Sequence, residues 1–117
     1  MKIGWKYAIY GIRMMLKSEK NFRLHITLFL FLVGLSYYLG INKIEWILIL
    51  VCSAFVFSLE MVNSCIEKLC NFITKDKHQE IGWIKDVAAG AVLVAALFSF
   101  IISILIFAPY FYLLLWS

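Results

Sequence analysis

Trp46-Ile-Leu-Ile-Leu-Val-Cys-Ser-Ala-Phe-Val-Phe-Ser-Leu59 carries no charge, and it runs directly into Glu60-Met-Val-Asn-Ser-Cys-Ile-Glu67. The first stretch reads as a membrane-spanning helix. The second interrupts it with polar groups at Glu60, Asn63 and Glu67. At 100° per residue these three fall within about 60° of one helix face. Carboxylates at membrane depth are expensive and rarely sit there without a task. Two carboxylates and an amide on one face can hold a divalent cation or move a proton.

Composition sets the frame around that helix. Of 117 residues, 64% are hydrophobic and the mean hydropathy is +0.92, more apolar surface than a soluble domain of this length can hide. The expected fold is all-α and membrane-embedded, a single domain with a surface helix over 1–20 and spans over 22–40, 44–73 and 82–116. No cleavable leader is expected, since the basic N-terminus lacks an apolar core ending in small residues. Three spans leave no room in these residues for a soluble catalytic domain. Any site must come from the helices, their cytosolic ends and neighbouring subunits. Cys52, Cys65 and Cys70 lack metal-ligand spacing and read as small apolar packing residues.

Residues 1–20 place Lys2, Lys6, Arg13, Lys17 and Lys20 near one face, with Ile9 intruding and Trp5, Tyr7, Ile12 and Met15 among the apolar remainder. This pattern suits a helix lying on an anionic membrane surface; a helix packed on the bundle is the alternative. Six Lys or Arg residues precede the first span, Lys43 alone lies in the first loop, and Lys68, Lys75, Lys77 and Lys85 surround the second. The N-terminus is therefore expected in the cytoplasm and the C-terminus outside. Tryptophans agree, Trp46 and Trp116 marking the outer interface, Trp5 and Trp83 the inner. Glu60 lies about 21 Å along the helix from Trp46, just inside the cytosolic boundary of a hydrocarbon core about 30 Å thick. Gly82 is expected to relax the entry to the last helix, small residues at Ala88, Gly90, Ala91 and Ala95 to allow close contact, and Pro109 to kink or end it.

Charges near the inner interface are Glu19, Arg23, Glu60, Glu67, Lys85 and Asp86. Phosphoryl transfer needs a divalent cation on phosphate oxygens, a cation for developing charge and a group that takes the hydroxyl proton. Glu19 and Glu67 could hold the metal, Lys85 could pair with phosphate, and Glu60 could act on a lipid alcohol. No Gly-rich phosphate loop is present. The plainer reading makes Glu19–Arg23 and Lys85–Asp86 ordinary helix-end charge pairs. A proton-coupled membrane transporter using Glu60 is a reading from a different class. Against it, the polar residues cluster at the inner interface and the other helices offer no deep polar partner.

Glu60-Met-Val-Asn-Ser-Cys-Ile-Glu67, followed after seventeen residues by Lys85-Asp86-Val-Ala-Ala-Gly-Ala-Val-Leu, resembles the signature of the small prokaryotic diacylglycerol kinases, as does Glu19-Lys-Asn-Phe-Arg23. The similarity covers nearly the whole chain. His25, Ile44-Glu45-Trp46 and the Ala-Ala-Gly after Asp86 are more similar to the undecaprenol kinase branch.

That resemblance implies a homotrimer in the bacterial inner membrane, with ATP and a membrane lipid alcohol as substrates and no nucleic acid partner. It implies Glu60 as general base supported by Asn63, and Glu19 and Glu67 as ligands of the Mg2+ that accompanies ATP. Tyr7, Asp76, His78, Lys85 and Asp86 are implied around the nucleotide, and Arg13, Phe22 and Arg23 near the lipid. Ala89 and His25 depart from the serine and the acidic residue of the diacylglycerol branch, which bears on lipid identity and not on phosphotransfer. The expected lipid is undecaprenol, with diacylglycerol the alternative.

Overall fold

The computed structural model describes residues 4–117 as four helices, α1 Gly4–Ser18, α2 Lys20–Leu39, α3 Lys43–Ile73 and α4 Gln79–Trp116, with no strand among them. Lys2 of the basic stripe lies outside the described residues. The last three helices are each long and apolar enough to cross a membrane. Within the chain only 11% of each apolar window is buried. Side chains such as Phe72, 89% exposed, have no covering here. A chain this apolar that packs so little of itself away is a membrane protein, with lipid or neighbouring chains completing the burial.

The chain turns on single residues. Glu19 alone separates α1 from α2; its backbone is extended (φ −109°, ψ 109°). At the far end of α2, Gly40 takes φ +68°, a left-handed conformation that costs glycine nothing, and its N–H donates to the Ser36 and Tyr37 carbonyls. Asn42 then opens α3 with a capping box. The Glu45 N–H donates to Asn42 Oδ1 at 2.9 Å, and the Asn42 N–H donates to Glu45 Oε1 at 3.0 Å. The same Oε1 accepts the Tyr110 hydroxyl at 2.5 Å, tying the start of α3 to the end of α4. Asn42→Ala should lower stability by about 1 kcal/mol, the usual worth of an N-cap side chain. Thermal unfolding in detergent micelles checks this; an unchanged midpoint would show that the cap is redundant.

α3 and α4 run antiparallel and form the most extensive contact in the chain. Lys85 meets Asn71 at one end, Ser99 meets the Cys52 carbonyl midway, and Tyr110 meets Glu45 at the other. α2 packs on α3 through Phe22 and Phe29, both edge-on to Phe57 at ring-centroid distances of 5.9 and 5.4 Å. Ile41, Ile49, Ile106 and Phe107 form the buried cluster at the Gly40 end, with Leu35, Leu39 and Trp46 against it. Trp46, whose sequence position suits an interface marker, is thus partly occupied by packing.

Three local expectations change. Of the two readings of Pro109, a kink or an end, the end is ruled out. Pro109 removes the bond to the Leu105 carbonyl, yet the helix continues to Trp116. α4 begins at Gln79 and not at Gly82, whose N–H already bonds the His78 carbonyl at 2.8 Å within the first turn. Gly90 makes no close helix contact within the chain, since a Cβ there would meet nothing within 4 Å.

Candidate active site at the Glu19 end of the bundle

Glu60 and His25 form a polar contact between α3 and α2. His25 Nε2 lies 4.0 Å from Glu60 Oε1, with the side chains 25% and 11% exposed. Asn63, one turn further along α3, is partly buried, and its Oδ1 has no hydrogen-bond partner. A buried amide oxygen without a donor is an acceptor held ready for one. Glu67 follows on the same face and is exposed.

The antiparallel register set by Phe22–Phe57 and His25–Glu60 carries Glu19 and Glu67 toward one level. Glu19 lies about 9 Å back along α2 from His25, and Glu67 about 10 Å forward along α3 from Glu60, both toward the same end. Glu19 occupies the N-cap position of α2 but makes no side-chain cap bond, so its carboxylate is not engaged in holding the helix. At this end Lys85 Nζ donates to Asn71 Oδ1 at 2.6 Å, and Asn71 is one turn beyond Glu67. An open groove of about 650 Å³ lies against the α3–α4 connection and the first turns of α4, lined by Asp76, His78, Lys85 and Asp86 among others. The connection is shaped by the Asp76 N–H, which donates to Thr74 Oγ1 at 3.1 Å.

Four of the five residues expected around the nucleotide, Asp76, His78, Lys85 and Asp86, therefore share one groove. Glu19 and Glu67 lie outside its lining, as does Tyr7, 69% exposed on α1. Among the described residues no group of three or more His, Cys, Asp or Glu side chains converges. By donor type alone, Glu19 and Glu67 would suit magnesium, which commonly takes one or two protein carboxylates and fills its shell with water and substrate phosphates.

Of the three residues expected near lipid, Arg13 is exposed on α1. Phe22 is 3% exposed, packed edge-on against Phe57, and presents almost no surface to a ligand from this chain. Arg23 donates through Nη1 to the Leu16 and Lys17 carbonyls at 3.0 and 2.9 Å. It thereby caps the C-terminal end of α1, where a cation also meets the negative end of the helix dipole.

The helix-end charge pairs do not form. Arg23 is taken by α1 carbonyls and Lys85 by Asn71, and among the described residues the one approach of a basic side chain to a carboxylate within 4.0 Å is His25 to Glu60. From sequence His25 stands only as a mark of kinship, and Asn71 does not stand out at all. A signal for His25 is available, since Phe22, His25 and Phe29 share one face of α2 at i, i+3, i+7 spacing.

Residues 6–107 match the family model described as prokaryotic diacylglycerol kinase. The chain is similar to an undecaprenol kinase of Bacillus subtilis, 36% identical over 103 residues, which covers 88% of this chain and 84% of that one. It is also similar to a diacylglycerol kinase of Haemophilus influenzae, 33% identical over 90 residues, covering 77% and 76%. The matched span runs from before Tyr7 to beyond Asp86 and so takes in every site residue named above, which leaves the transporter reading without support. The chain belongs to the prokaryotic diacylglycerol kinase family and is a membrane-embedded lipid kinase.

Proposed function

We propose that the protein transfers the γ-phosphoryl group of ATP to the hydroxyl of a membrane lipid alcohol, with undecaprenol preferred over diacylglycerol. The observation that carries the reaction is the stacking of Glu60, Asn63 and Glu67 on α3, from a half-buried carboxylate to an exposed one, at the end of the bundle where Glu19 and Lys85 also lie. A lipid hydroxyl can reach the buried member while a soluble nucleotide reaches the exposed one.

Glu60 accepts the hydroxyl proton as the alcohol oxygen bonds to the γ-phosphorus, and the bond to the β–γ bridging oxygen breaks with its electrons staying on ADP. Asn63 presents its amide oxygen beside the reacting hydroxyl. Lys85, released from Asn71, offers its ammonium to the phosphates; Asp76, His78 and Asp86 line the approach, with Tyr7 reaching it from α1. Glu19 and Glu67 hold magnesium, which when bound neutralises charge on the phosphate oxygens. Arg13 and Arg23 lie at headgroup level, and Phe22 holds the α2–α3 crossing from which the lipid is presented.

In this reading α1 lies on the anionic cytoplasmic surface of the bacterial inner membrane, the N-terminus inside and the C-terminus outside. Three copies assemble so that sites form at subunit boundaries, which also covers the apolar faces that one chain leaves open.

For the lipid, the support is the 36% identity to a protein named undecaprenol kinase, together with Ile44-Glu45-Trp46 and Ala88-Ala89-Gly90. The tails are apolar, and a methylene distinguishes substrates by only about 1–3 kcal/mol, so discrimination rests on where the hydroxyl sits. Some turnover of both lipids is expected. Purified protein with radiolabelled ATP and both lipids competing in mixed micelles should give the higher kcat/KM for undecaprenol. A clear preference for diacylglycerol would overturn the lipid choice and leave the kinase reading standing.

A further inference from the structure

We propose that His25 is a positioning residue for Glu60, donating from Nε2 to one carboxylate oxygen so that the other faces the lipid hydroxyl. The inference rests on Glu60 acting as the base. A carboxylate 11% exposed within a membrane helix needs a partner, because an uncompensated charge there is costly. Its neighbourhood contains one. Arg23 is bound to the Leu16 and Lys17 carbonyls and Lys85 to Asn71, and among the described residues only His25 comes within ion-pair distance.

The local scaffold fixes where His25 stands. Phe22, three residues before it, and Phe29, four after, both pack edge-on against Phe57. Phe57 is itself one turn before Glu60 on α3. The imidazole is thus bracketed on α2 by two aromatic contacts to the same turn of α3 that presents the carboxylate. The 4.0 Å separation is longer than a hydrogen bond, and a catalytic hydrogen bond commonly tightens only once substrate is bound. A base held by a third group is the usual arrangement where one proton acceptor must meet one hydroxyl.

Steady-state kinetics of the full-length protein in mixed micelles test this with His25→Gln, His25→Asn, Glu60→Gln and the double variant His25→Asn/Glu60→Gln. Glutamine reaches about as far as the imidazole Nε2 and keeps an N–H donor; asparagine falls short. The expected result is a fall in kcat of about 10- to 100-fold for His25→Asn, as for a misplaced catalytic group. KM for ATP and for lipid should stay within about twofold, and His25→Gln should recover most of the rate. The loss should be the same with undecaprenol and with diacylglycerol. In the Glu60→Gln background His25→Asn should cost nothing further, since two residues acting through one interaction are not additive.

Three results would overturn the proposal: undiminished kcat in His25→Asn, a loss confined to one lipid, or an undiminished loss in the Glu60→Gln background. Normal turnover in Glu60→Gln alone would instead remove the base assignment, and the positioning role with it. Should His25→Asn fail to fold, failure of folded His25→Gln to keep most of the wild-type rate decides against the role.

Discussion

Glu60→Gln is expected to reduce phosphotransfer by about 10²–10⁴-fold, the range associated with loss of a general acid–base group. Glutamine has nearly the same shape, so the α2–α3 crossing held by Phe22, Phe29 and Phe57 stays intact. Glutamine also keeps an acceptor oxygen for the His25 Nε2 donor, so the variant should still assemble. Single-turnover measurement of product with radiolabelled ATP separates the chemical step from binding. Near-normal turnover in a well-folded Glu60→Gln protein would remove Glu60 from the reaction and leave its pairing with His25 as a structural contact.

Substituting Glu19 or Glu67 should act through the metal. Each Gln variant is expected to raise the magnesium needed for half-maximal rate by about tenfold or more. Loss of a group that merely supports a ligand costs about 10- to 100-fold in affinity or activity, and loss of the ligand itself should cost no less. The local structure makes Glu19→Gln a clean test. Glu19 makes no side-chain cap bond, so its carboxylate can be removed without unpinning the start of α2. Magnesium titration at saturating ATP gives the answer. A lower rate with an unchanged magnesium dependence would mean that these carboxylates support the corner and the α3 face without holding the ion.

The polar face of α3 is legible in the sequence because it depends only on helical periodicity. Glu60, Asn63 and Glu67 share a face wherever that helix is placed. Membrane insertion is legible for the same kind of reason, since apolar length is a property of each segment alone. The termini of the helices are less so. Pro109 reads as a kink or a stop, but a proline removes one bond and introduces one clash, which a long apolar helix absorbs without ending.

What the sequence determined by itself was therefore the class of protein, the number of long apolar helices and which residues face one another along a single helix. The tertiary structure alone decided which helix meets which, and at what register. Arg23 bonding back to α1, Lys85 on Asn71, Tyr110 on Glu45 and His25 on Glu60 all join different helices, the Tyr110 contact across 65 residues of sequence. Periodicity fixes the angle of a side chain about its own axis. It does not fix the sliding of one antiparallel helix past another, which is set by the one-residue corner at Glu19, the left-handed Gly40 turn and the side chains that interlock at Phe57.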